Sequence, residues 1–168
     1  TFVCYLILKM TSASINDIRK ELQLTDPDVL QAICIRLARY KKENKELLNY
    51  LLFEAHNEHG YVQQVKTELE LMFEEIAGKN LYLVKKILRK ILRYTNRQIK
   101  YSGLPQTELE LRIFFCEKTV AAQIPLSTGT VLYNLYQQQL KKIGSVLGKL
   151  PEDLQGDYTT SLKTIRYA

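Results

Sequence analysis

Residues 80–101 read NLYLVKKILRKILRYTNRQIKY and form the longest and most polarised helical pattern in the sequence. At about 100° per residue, its apolar side chains fall on one half of a helix and its basic side chains on the other half. The pattern predicts a long amphipathic helix whose apolar half packs inward. That apolar half consists of Val84, Ile87, Leu88, Ile91, Leu92 and Ile99.

The basic half of the predicted helix carries a ridge of four cations at positions i, i+4, i+7 and i+11, which spans about 16 Å. The ridge consists of Lys86, Lys90, Arg93 and Arg97, and Lys85 lies at the edge of the same arc. We take these cations with their neighbours as a candidate surface for a polyanion or an acidic partner, and call it the basic face. Its members are Lys79, Lys86, Arg89, Lys90, Arg93, Arg97 and Lys100.

The charge of the chain is concentrated in this segment. The formal net charge is +6, and residues 76–107 contain eight basic and no acidic residues. Residues 1–75 have a net charge of −3 and residues 108–168 a net charge of +1. A local basic excess attracts acidic proteins, nucleic acid or an anionic membrane surface.

Acidic residues of the same chain offer an alternative use for the basic face. The preceding predicted helix is acidic near its end, and an antiparallel neighbour would bring those carboxylates beside the cations. Such pairs would quench the field of the basic face, although each exposed pair contributes only about 0–1 kcal/mol. The acids concerned are Glu68, Glu70, Glu74 and Glu75.

Nucleic acid is the second alternative. A row of cations can follow a phosphate backbone, and binding of that kind weakens steeply with salt because counterions are released. Three tyrosines, Tyr82, Tyr94 and Tyr101, lie on or near the same arc and could stack on bases. The sequence leaves the acidic protein, the nucleic acid and the internal pairing open.

The rest of the chain also predicts helices. Glycine and proline together make 11 of 168 residues, apolar stripes recur at offsets of three and four, and no stretch alternates with a period of two. Connections are short, so neighbouring helices are expected to be antiparallel. We therefore predict an all-α single domain over residues 1–168, with six or seven helices in antiparallel pairs, forming either an α–α superhelix or an irregular helical bundle.

Several helix starts can be placed from capping residues. Ser14 with Asp17 forms a capping-box pattern, and Asp26 followed by Pro27 is a strong start signal. Thr107 is predicted to cap a helix that extends to about residue 122. Residues 1–11 are treated as an N-terminal extension, either poorly ordered or packed as a short strand over 2–8.

An internal repeat suggests stacked helix pairs. Residues 67–71 and 107–111 both read TELEL, at an offset of 40, which is the length of one helix pair in HEAT and armadillo solenoids. With its helix spacing over about residues 25–150, the chain resembles a HEAT/armadillo-like α–α superhelix. The resemblance implies a shape and brings no catalytic residues with it.

Candidate catalytic and metal-binding residues are few. His56 and His59 are spaced by three and would share one face of a helix that ends at Gly60. They are weak metal candidates, because a zinc site needs at least a third ligand. No cofactor motif is present: residues 144–149 read GSVLGK, which lacks the spacing and the hydroxyl residue of a phosphate loop.

The three cysteines, Cys4, Cys34 and Cys116, are far apart in the sequence and lie among apolar residues. We interpret them as reduced core residues of a cytoplasmic protein. The apolar run at residues 2–8 is too short to span a bilayer, which needs about 20 residues.

The sequence thus favours a non-enzymatic interaction or scaffold module without a membrane role. The alternative is binding of an RNA or DNA backbone through residues 79–100.

Overall fold

The computed structural model describes residues 12–166, apart from the side chains at 159, 160, 164 and 166. The strand considered for residues 2–8 lies outside the described residues. The chain divides into two compact units, with the boundary between Leu48 and Asn49. That the units fold together as one domain stays a prediction.

The first unit contains helices α1 (Ile15–Leu24), α2 (Pro27–Tyr40) and α3 (Lys42–Asn49), the last of which runs one residue past the boundary. The predicted starts of α1 and α2 are confirmed. Ser14 forms a capping box with Asp17, and the Asp26 side chain accepts a hydrogen bond from the backbone of Asp28, with Pro27 in the first turn.

None of the side chains of α1, α2 and α3 is buried. Their apolar stripes form as the periodicity predicts, but the structure leaves them exposed to solvent. Every buried side chain that the structure describes therefore lies in the second unit. Large apolar side chains exposed in the first unit include Ile15, Leu24, Val29, Leu37 and Tyr40.

The second unit begins with a π-helical segment, Tyr50–Glu54. It continues with α4 (Glu58–Glu74), α5 (Leu81–Ser102), α6 (Pro105–Ala121) and α7 (Val131–Leu147). Two short helices, α8 (Glu152–Asp157) and α9 (Thr159–Arg166), follow. The described residues contain no strand, so the predicted all-α fold is confirmed. The described α-helices number nine, where six or seven are predicted, and the last two are short, with six residues in α8 and eight in α9.

Helix α6 lies at the centre of the second unit, packed against α4, α5, α7 and α9. Leu109, Leu111, Phe115 and Cys116 are fully buried. Buried side chains point in several directions from α6, so its sequence does not show the single apolar stripe of a surface helix. Its start differs from the prediction: the helix begins at Pro105, and Thr107 lies inside the first turn.

The long helices of the second unit pack as antiparallel neighbours in chain order. The Tyr61 hydroxyl near the start of α4 donates to the Gln98 side chain near the end of α5, at 2.8 Å. The guanidinium of Arg112 on α6 reaches Asn96 on α5 and Gln139 on α7. Short connections explain this arrangement, because they return each helix alongside the previous one.

The repeated TELEL segments occupy the two helices α4 and α6, which run parallel. Glu70 of the first copy pairs with Lys118, and Glu110 of the second copy pairs with Lys66. Both copies thus place their second glutamate in an ion pair between the same two helices.

Among the described residues, no helix is both long and apolar enough to cross a membrane.

Candidate partner-binding surface on helix α5

The rotation of helix α5 is fixed by its buried side. Asn80 caps the start of the helix by accepting a hydrogen bond from the backbone N–H of Leu83, at 3.0 Å, and the left-handed residue Gly103 ends it. The apolar half predicted from the sequence faces the core. Buried side chains of α5 are Val84, Leu88, Ile91, Thr95, Gln98, Ile99 and Tyr101.

The basic face consequently points to solvent. Five cations of α5 are exposed, while Lys85 and Arg97 are half-buried. Lys79 is exposed too, but it lies in the loop before Asn80, so the helical phase assigned to it does not apply. The exposed cations of α5 are Lys86, Arg89, Lys90, Arg93 and Lys100.

Of the four acids considered as internal partners, Glu75 reaches the basic face. Its carboxylate pairs with Lys90 at 3.1 Å, where both side chains are about half exposed. Glu70 instead pairs with Lys118 of α6 at 2.6 Å. Glu68 and Glu74 are exposed and form no ion pair within residues 12–166.

Most of the basic face is therefore not neutralised by the part of the chain that the structure describes. Lys86, Arg89, Arg93 and Lys100 make no ion pair or side-chain hydrogen bond there. The guanidinium carbon of Arg97 lies 5.6 Å from the ring centre of Tyr94, a cation–π distance. Like charges one turn apart repel by a few tenths of a kcal/mol, so an anionic partner would relieve this repulsion.

The tyrosines considered for base stacking are not equally available. Tyr82 is exposed, Tyr94 is half-buried and lies beside Arg97, and Tyr101 is buried. Of these three rings, only that of Tyr82 is therefore exposed to solvent. Stacking on successive bases needs several exposed rings, so this part of the nucleic-acid hypothesis is weakened.

The two histidines do not share a helix face. Asn57 caps α4, its side chain accepting a hydrogen bond from the Gly60 backbone at 3.0 Å. His56 thus lies in the turn before the helix and His59 in its first turn, so the prediction that both belong to a helix ending at Gly60 is wrong. Within the described ranges, no three His, Cys, Asp or Glu side chains gather as a metal site.

Cys116 has the environment of an inert core thiol. It is fully buried on α6, and this burial raises the pKa of its thiol to about 12. A thiol that stays protonated at neutral pH is a poor nucleophile. Cys34 is a half-buried free thiol on α2, whereas Cys4 lies outside the described residues.

A polar cluster around Glu58 was not predicted from the sequence. The Glu58 carboxylate accepts hydrogen bonds from the hydroxyls of Tyr50, Ser102 and Thr107, at 2.7, 2.5 and 2.5 Å. These hydroxyls join the π-helical segment, the end of α5 and the start of α6 to the start of α4. The acid in the first turn of α4 also suits the helix dipole, so the cluster fixes how the helices meet at this end of the second unit.

A second polar cluster is centred on Arg112, which is buried in α6. Its guanidinium donates to Glu108, to Asn96 at 3.0 Å and to Gln139 at 2.8 Å. The partners lie 4, 16 and 27 positions away in the sequence. Only the Glu108 pair, one turn away, has a sequence signal.

Comparisons with known protein families, with curated proteins and with solved structures found no match to this chain.

Proposed function

We propose that the chain is a non-enzymatic interaction module that binds an acidic segment of a protein partner on the basic face of α5. The observation that carries this proposal is a set of four exposed cations that make no ion pair among the described residues: Lys86, Arg89, Arg93 and Lys100. The apolar half of the helix is used by the core, so the basic face is the side of α5 left for a partner.

A peptide fits this surface better than a nucleic acid does. Lys90 lies next to the acidic end of α4, where Glu75 holds it and Glu74 is exposed. A phosphate backbone carries charge at every step and cannot avoid these carboxylates. A protein segment can place its acidic residues opposite Lys86, Arg89 and Arg93 and leave a neutral residue beside Glu75.

Binding of an RNA or DNA backbone through residues 79–100 is the second candidate function. It is supported by the length of the ridge and by the exposed ring of Tyr82.

We also propose, from helix packing and the TELEL repeat, a HEAT/armadillo-like arrangement. The free thiols of Cys34 and Cys116 support a cytoplasmic location, because thiols stay reduced there.

The proposal is tested by the fluorescence anisotropy of a labelled dodecapeptide of alternating glutamate and serine, mixed with the full chain at low salt. We expect the Lys86→Glu, Arg93→Glu variant to bind about tenfold more weakly. Two attractions are lost and two repulsions are gained, each about 0.2–1 kcal/mol.

The matched control is the Lys141→Glu, Lys142→Glu variant, which makes the same charge change at exposed positions of α7. It should bind the peptide within about threefold of the unchanged chain. Equal losses in both variants would mean that net charge alone attracts the peptide, and the proposal would be wrong. Tighter binding of a 12-nucleotide RNA than of the peptide, lost in the α5 variant, would favour the second function.

A further inference from the structure

The second unit contains an open cleft of about 540 Å³ near the start of α5. It lies between the end of α4 with its following loop and the loop that follows α6. Its floor is apolar and consists of Phe73, Ile76, Val84 and Ile124, each almost fully buried. A cleft of this size and lining is in the range of sites that hold an apolar group of a ligand.

The rim of the cleft is uncrowded. Ala77, Gly78 and Ala122 are exposed at the edge, and a β-carbon built on Gly78 would meet no atom within 4 Å. Gly78 has φ +69°, which an L side chain rarely adopts, so glycine keeps this edge both low and bent. The apolar floor can therefore be reached by a side chain from another molecule.

The charge at the cleft has one sign. Among the described residues that line it, Lys79 is the single charged one and none is acidic. Lys79 is exposed and makes no ion pair within the described residues. Lys79 directly precedes Asn80, which caps α5, so the cleft lies at the start of the helix whose exposed cations are proposed to bind the acidic partner.

We infer that this cleft holds a large apolar side chain of the acidic partner segment, with a carboxylate of a neighbouring residue paired to Lys79. The inference rests on the proposed function and specifies its partner: an acidic segment with one phenylalanine- or leucine-sized anchor toward one end. Charge complementarity selects this occupant, because an apolar group on a basic segment would bring a cation toward Lys79. The anchor would supply specificity that carboxylates alone do not.

The test compares two labelled peptides of equal charge, an acidic dodecapeptide with one phenylalanine near its end and the same peptide with serine at that position. We expect the phenylalanine peptide to bind the full chain at least fivefold more tightly. In the Leu81→Asp variant this difference should vanish, because a carboxylate would then stand at the cleft. Leu81 lines the cleft and is half exposed at the first position of α5, where an acid is tolerated by the helix dipole.

The Leu81→Met variant is the matched control and should keep the difference, since methionine retains an apolar surface. Independently of any variant, amide resonances of Ala77, Gly78 and Gln123 in the ¹⁵N-labelled chain should shift with the phenylalanine peptide and not with the serine peptide.

The outcomes separate the two proposals. If both peptides bind equally and both lose affinity in the Lys86→Glu, Arg93→Glu variant, the cleft inference is overturned and the proposed function stands. If the phenylalanine peptide binds at the cleft but is unaffected by that variant, the proposed role of the basic face fails. If neither peptide binds, both proposals are wrong.

Discussion

Both carboxylate oxygens of Glu75 lie 3.1 Å from the ammonium nitrogen of Lys90. This pair joins the end of α4 to the middle of α5 and is half exposed. Because the pair lies on the basic face, Glu75 competes with any acidic partner for Lys90.

Removing this competitor should strengthen partner binding. We expect the Glu75→Ala variant to bind the acidic dodecapeptide about two- to threefold more tightly, because Lys90 is released. The unfolding free energy should fall by less than about 1 kcal/mol, as is usual for an exposed pair. Anisotropy and urea unfolding measure the two effects.

Glu74→Ala is the matched control, since it removes the same charge at the neighbouring position. The Glu74 side chain makes no ion pair among residues 12–166. An equal gain in both variants would show that the general charge, and not the release of Lys90, causes the change.

The buried guanidinium of Arg112 is predicted to matter for stability. Replacing it in the Arg112→Met variant strands the Gln139 and Asn96 oxygens that it satisfies, and we expect a loss of about 3 kcal/mol in unfolding free energy. Urea unfolding measures this loss. The exposed Arg89→Met variant should change stability by less than about 0.5 kcal/mol. Similar values for the two variants would contradict the role given to the cluster.

The Glu58 cluster predicts a second stability effect. In the Glu58→Gln variant one carboxylate oxygen becomes an amide group and the charge is lost, so three hydroxyl donors compete for a weaker acceptor. We expect a loss of about 1–3 kcal/mol in thermal or urea unfolding. Glu68→Gln, at an exposed site on the same helix, is the control and should be nearly neutral.

Alkaline pH should lower the unfolding free energy of the chain, because a buried thiol and a buried phenol resist deprotonation in the folded state. Burial raises the pKa of Cys116 to about 12, while the thiol of an unfolded chain titrates near about 8.5. Above that pH the unfolded state loses the proton first, so the unfolding free energy falls as pH rises, by up to about 1.4 kcal/mol per pH unit. Burial also raises the pKa of Tyr136, which adds a loss in the same direction above about pH 10.

Urea unfolding at pH 7 to 10 measures this dependence. We expect the Cys116→Ala variant to show a flatter fall between pH 8.5 and 10 than the unchanged chain. Val65→Ala, a buried change without a titrating group, should lower stability at every pH and keep the slope. Equal slopes in the chain and the Cys116→Ala variant would contradict the assignment.

The sequence predicts the local part of this structure well because it depends on periodicity and capping. The rotation of α5 follows from the spacing of Val84, Leu88 and Ile91, which are all buried. The starts of α1 and α2 follow from Ser14 and Asp26, whose side chains make the expected hydrogen bonds.

What the sequence does not predict depends on partners distant along the chain. Threonine is a common N-capping residue, yet the Thr107 hydroxyl donates a hydrogen bond to Glu58, 49 positions away. The helix starts at Pro105 instead. Gly60 is typical of a helix end, but the Asn57 side chain makes it part of a helix start. The apolar stripes of α1–α3 predict burial that the described structure does not show. Periodicity identifies the apolar face of a helix but not what packs against that face.

Zero-length cross-linking of the acidic dodecapeptide to the full chain with a carbodiimide, followed by mass spectrometry, locates the bound peptide. The reagent joins a carboxylate to a lysine amine only where the two are in contact. We predict that Lys86 and Lys100 carry most of the peptide, well above the exposed Lys141 and Lys142 of α7. Cross-links spread evenly over the exposed lysines of α5 and α7 would contradict the claim that the basic face of α5 is the binding surface.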